Sequence, residues 1–129
     1  MAAGPAAWAL LALWLPITDP AWPAARPVQF LALVVLYPVL EELVFRGLLQ
    51  GALLRRGWGH RLAGPVTAAN LVAALAFAAA HLLRVTPAWA AAVFLPGLVF
   101  GFFRERHGMG AAIVLHAFYN AGFVWLFRG

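Results

Sequence analysis

The stretch "YPVLEELVFRGLLQGALL", residues 37–54, is apolar enough to cross a bilayer, yet it carries Glu41, Glu42 and Arg46. A charge at the bilayer centre costs about 2.5 to 3.5 kcal/mol on insertion scales, so charges there mark a function or a paired partner. The apolar run begins near Val28, which sets Glu41 roughly 20 Å along a helix at about 1.5 Å per residue. Glu42 and Arg46 stand at i and i+4 with the acid first, the favoured order for a helical ion pair. They are expected to neutralise each other. Glu41 is rotated by about 100° from Glu42, and its own i+4 neighbour is Phe45. It either meets a polar partner from another helix or sits protonated and inert. Pro38 removes a backbone donor and is expected to free the carbonyl of Val34, kinking the helix ahead of the acids.

The rest of the chain sets those charges in a membrane protein. Of 129 residues, 65% are hydrophobic and 10% charged, with a mean hydropathy of +0.89, a composition that leaves too few polar residues to cover a soluble domain. Five apolar runs approach the roughly 20 residues that a transmembrane helix needs: 2–18, 28–54, 65–83, 87–103 and 110–127. The fold class expected is therefore all-α: a polytopic transmembrane bundle of about five helices with its site inside the membrane. Residues 1–27 are read as an N-terminal transmembrane helix and connection, and 28–129 as the catalytic helix core. The first run lacks a basic n-region and a cleavage site and is read as a retained helix.

The net charge of +5 comes from nine arginines, with no lysine, against Asp19, Glu41, Glu42 and Glu105. Most arginines fall in short connections with no polar face beside them, which excludes a nucleic-acid groove and marks membrane flanks. Arg55, Arg56, Arg61, Arg104 and Arg106 share one side of a five-span topology, and Arg26, Arg84 and Arg128 the other. The positive-inside rule then places the N-terminus in the cytoplasm. Arginine usage without lysine suggests a bacterial source, hence a multi-pass protein of the cytoplasmic membrane. With no cysteine, thiolate chemistry, disulfides and Cys-ligated metals are excluded.

Two further runs bring polar groups. His81 ends "FAAAH", and His116 and Asn120 lie at i and i+4, on one face, in "HAFYN". Each has a structural reading as snorkelling, packing or interhelical glue. Together with Glu41 they form an inventory for hydrolysis. A desolvated glutamate takes a proton from water, His81 orients that water, and His116 with the Asn120 amide donates to a developing oxyanion. Zinc held by Glu41, His81 and His116 is the rival chemistry, although no H-E-x-x-H helix is present. Asn70 and Tyr119 rank as glue or spare donors. Gly97 and Gly101 form a G-x-x-x-G surface expected to pack within the monomer.

These segments, "EELVFRGLLQGALLRR", "FAAAH" and "HAFYN", in that order, resemble the E-E-x-x-x-R, F-x-x-x-H and H-x-x-x-N motifs of the CPBP family of intramembrane proteases, which includes the CAAX-prenyl endopeptidases and bacteriocin-processing and self-immunity relatives. The resemblance covers residues 28–127. It implies a glutamate-dependent, metal-free endopeptidase in which Glu41 and His81 activate water, His116 and Asn120 form the oxyanion site, and Glu42 and Arg46 support them. The CAAX enzymes carry several more helices, so the implied substrate is a membrane-anchored protein or peptide, such as a C-terminal anchor, within the lipid bilayer. The alternatives are a non-catalytic family member that binds membrane peptides, in an immunity or chaperone-like role, and a proton or small-solute pathway.

Overall fold

A computed structural model describes residues 3–127; Ala2, at the start of the first run, and Arg128 lie outside the described residues. The fold is all-helical apart from one two-stranded hairpin. Among the described residues, Pro27–Leu54, Pro87–His107 and Met109–Phe127 are long and apolar enough to cross a membrane, and Ala68–His81 is a shorter apolar helix. The protein is an integral membrane protein.

The first run departs from expectation. Among its described residues Ala3–Leu11 alone is helical, and nine residues at about 1.5 Å each reach less than half the hydrocarbon thickness. The chain tightens into turns at once, with Leu13 N donating to Leu10 O and Trp14 N to Leu11 O. Pro16 follows, and a proline neither donates nor lets its predecessor settle into a helix.

The chain divides into two compact units, one formed by residues up to Leu40 and from Val114 onward, the other by Glu41–Ile113. In the first, Trp22, Val34 and Val124 form a buried apolar core with Phe30, Leu33, Ala121 and Phe123 packed on it. The proline-rich connection is pinned to the C-terminal turns of the last helix. Trp22 Nε1 donates to Trp125 O at 3.1 Å, Trp125 Nε1 to Pro20 O at 3.0 Å, and Thr18 Oγ1 to Leu126 O at 3.2 Å. Asp19 Oδ1 accepts from the Ala21 N–H, an Asx turn that starts the short Trp22–Ala25 helix.

The Pro27–Leu54 helix contains two wide-turn π stretches, Ala32–Leu36 and Leu43–Gln50. The first corrects the expected consequence of Pro38. Tyr37 N–H bonds Ala32 O, five residues back, so Leu33 O gains nothing from Tyr37. Its next donor in a π pattern would be Pro38, which has no N–H. The carbonyl left for a side chain is therefore Leu33's.

In the second unit the Ala68–His81 helix packs along Phe94–His107 and against the 43–50 stretch. Its start lies later than the apolar run suggests. Leu62–Ala63 and Val66–Thr67 pair as an antiparallel hairpin around Gly64 and Pro65, where φ of +66° at Gly64 suits the first central position of a tight primed turn. Thr67 then caps the helix, its Oγ1 accepting from Asn70 N at 3.0 Å. The fourth run bends between Pro87–Ala92 and Phe94–His107. Pro96 accounts for it, because its ring faces the carbonyl of Ala92, four residues back.

Gly97 and Gly101 are buried inside this unit. A Cβ on Gly97 would stand 3.2 Å from the Phe77 ring, and one on Gly101 would overlap the Asn70 side-chain amide. Gly101→Ala is therefore expected to destabilise the protein by about 1 to 3 kcal/mol, the usual cost of overpacking. Gly110→Ala, where nothing lies within 4 Å, should leave the thermal midpoint in detergent unchanged or raised.

Candidate active site

The charged stretch folds around one buried guanidinium. Glu42 and Arg46 are both completely buried, with Arg46 Nη1 3.3 Å from Glu42 Oε1. Arg46 Nη2 donates to Gly97 O at 2.8 Å, and the guanidinium carbon lies 4.4 Å from the Phe77 ring centroid and 5.6 Å from that of Phe100. A charge in this setting needs an opposite charge, an acceptor and a polarisable face together, because desolvation costs several kcal/mol per ion. Gly97 makes the arrangement possible, since its Cβ would crowd Arg46 Nη2 at 3.3 Å.

One turn further, Gln50 repeats the pattern. It is wholly buried, and its Nε2 donates to Gly101 O at 3.2 Å and to Glu105 Oε1 at 2.6 Å. Thr67 Oγ1 donates to the same carboxylate oxygen at 2.7 Å, and Asn70 Nδ2 donates to Leu98 O at 2.9 Å. Gln50, Thr67 and Glu105 are absent from the set expected from sequence. A signal was present: Glu42, Arg46 and Gln50 recur every four residues, as do Gly97, Gly101 and Glu105. Arg46 meets Gly97, and Gln50 meets both Gly101 and Glu105.

Glu41 differs from its neighbour. It is partly exposed where Glu42 is buried, and the salt bridge is made by Glu42. His81, in the same unit, ends its helix as expected and is also partly exposed. Its Nδ1 lies 2.9 Å from Phe77 O. A carbonyl only accepts, so Nδ1 carries the proton, and the neutral tautomer that this contact selects has its lone pair on Nε2. The ring also packs edge-on against Phe77 with centroids 4.5 Å apart. Phe77 thus lies between Arg46 and His81, touching both.

His116 and Asn120 belong to the other unit, on the Met109–Phe127 helix. His116 is buried. Asn120 Nδ2 donates to Leu33 O at 3.0 Å, the carbonyl that the π stretch and Pro38 leave without a backbone donor. The Asn120 amide is thereby oriented with one N–H engaged and a second on the same nitrogen. A zinc site would draw Glu41 and His81 from the second unit and His116 from the first. Within the second unit alone, no three histidine or carboxylate side chains gather for a metal.

Removing one member of a buried ion pair typically costs about 3 to 5 kcal/mol, because the other charge is left uncompensated. Arg46→Ala is expected to fall in that range. Glu42→Gln combined with Arg46→Met should cost clearly less than the two single changes summed, and thermal unfolding of all four proteins measures the difference.

A type II CAAX prenyl endopeptidase family model, described as Rce1-like, matches residues 23–122. No curated protein and no solved structure shows a significant match. The match takes in the acidic pair, Arg46, His81, His116 and Asn120, and the chain belongs to the Rce1-like family of type II CAAX prenyl endopeptidases, a family of membrane proteases.

Proposed function

We propose that the protein is a glutamate-dependent intramembrane endopeptidase that cleaves a membrane-anchored protein or peptide. The observation that carries this reading is the division of the acidic pair: Glu42 is consumed in a buried ion pair with Arg46, while Glu41 remains partly exposed.

In the proposed mechanism, Glu41 takes a proton from the attacking water, and His81 orients that water through Nε2, its ring held by the Phe77 carbonyl. The water oxygen adds to the scissile carbonyl, whose oxygen becomes an oxyanion. His116 and the second N–H of Asn120 donate to it. Collapse of the tetrahedral intermediate breaks the C–N bond, and the proton held by Glu41 passes to the leaving amine. Arg46 does not react. It supports both arms, pairing with Glu42 next to Glu41 and stacking on Phe77 beneath His81.

The proposed substrate is a membrane-anchored segment, such as a C-terminal anchor. Zinc bound by Glu41, His81 and His116 is the alternative, and it predicts the opposite response to chelation.

Purified protein in liposomes, offered membrane-anchored peptides, tests the proposal. Glu41→Gln should lower cleavage by about 10² to 10⁴, the usual contribution of a general base, with an unchanged thermal midpoint. Activity should survive a strong chelator. Loss under chelation that zinc restores would replace this mechanism with the metal-dependent one, and full activity in Glu41→Gln would remove both.

A further inference from the structure

Five arginines gather at one end of the second unit: Arg55, Arg56 and Arg61 after the Pro27–Leu54 helix, and Arg104 and Arg106 in the last turn of Phe94–His107. The two groups share that end, because Arg104 Nη2 lies against Gly51 and Thr67, at the hairpin base, bonds Glu105. Among the described residues none of the five forms an ion pair. The one carboxylate among them, Glu105, accepts instead from Gln50 and Thr67. Its charge is engaged by neutral donors toward the interior, leaving the outer guanidiniums uncompensated.

The same end carries exposed apolar groups. Leu62, on the hairpin, is 76% exposed and Trp58, just before it, 39%. Two membrane-length helices finish here and a third begins, at Leu54, His107 and Met109, which sets this surface at the level of lipid headgroups, where tryptophan is favoured. A soluble acidic partner would answer the arginines but not the apolar tip.

We propose that this end is a binding site for anionic phospholipids. Arg55, Arg56 and Arg61 take the phosphodiester headgroup, and Trp58 and Leu62 rest against the first acyl carbons. The hairpin is suited to hold them, since Ala68 N donates to Arg61 O at 2.8 Å and Ala69 N to Gly59 O at 3.1 Å, tying the segment to the start of the 68–81 helix. None of these residues belongs to the proposed catalytic set, and the site does not depend on proteolysis.

Native mass spectrometry of the full chain in neutral detergent, titrated with phosphatidylglycerol or phosphatidylcholine, tests this directly. Wild type should retain the anionic lipid at least tenfold better. Arg55→Gln, Arg56→Gln and Arg61→Gln combined should erase the preference, each arginine near an anionic surface contributing on the order of fivefold. The corresponding triple lysine variant should keep it, which separates lost charge from lost fold, and Arg26→Gln should leave it unchanged. Equal retention of the two lipids by wild type, or a preference that survives the glutamine triple, would overturn the proposal. Displacement of bound lipid by excess inorganic phosphate would assign the site to free phosphate instead, and displacement by an acidic peptide would assign it to a protein partner.

Discussion

A guanidinium removed from water needs its charge compensated, and the burial of Arg46 sets the terms for much of this structure. Its charge is met by Glu42 on its own helix, its Nη2 by the carbonyl of Gly97, and its face by Phe77. Each partner comes with a geometric demand. The carbonyl can be reached only because position 97 has no side chain, and the aromatic face is available only because the Ala68–His81 helix packs close by. Helix approach here follows from charge satisfaction as much as from apolar contact. That fits a membrane setting, where lipid competes equally well for apolar surface and small residues and hydrogen bonds hold helices together.

The pairing within one helix was legible in the amino-acid sequence; what lies across helices was not. Glu42 and Arg46 are neighbours by helical arithmetic alone. Gln50 and Glu105 are 55 residues apart, and nothing local to either announces the other. The glycines gave half the message: their spacing marks a close approach, but not that Asn70 enters the space above Gly101. Hydropathy misled at two boundaries for a shared reason, since a window average ignores proline. Pro16 follows the turns that end the first run short of a membrane span, and Pro65 belongs to a hairpin turn rather than to the start of a helix. Pro38 was recognised as a missing donor, yet the carbonyl it exposes shifted from Val34 to Leu33 because the helix there winds in π register.

That shift bears on the candidate chemistry. Two of the proposed residues, His81 and Asn120, are oriented by backbone carbonyls, those of Phe77 and Leu33. In the first case the carbonyl lies one turn earlier in the same helix, and it selects a tautomer. In the second it is left over by a helix irregularity, and it selects an amide orientation. Both cases use main-chain acceptors, which add no charge to the membrane interior. Of the three ionisable side chains in the 37–54 stretch, Glu42 and Arg46 are matched in a salt bridge.

Glu105 extends this economy of charge to the membrane boundary. An acid among five arginines would ordinarily pair with one of them, and such exposed pairs contribute little to stability. Here it accepts from a buried amide and from the hydroxyl that caps the 68–81 helix. Its negative charge closes the Gln50 rung that continues from Arg46, so the surface charge pattern is a consequence of interior packing. A helix end that spends its only acid inward presents an undiluted positive face outward. The same bonds that complete the helix contacts beneath Arg46 thus define what the headgroup layer meets at that end of the protein.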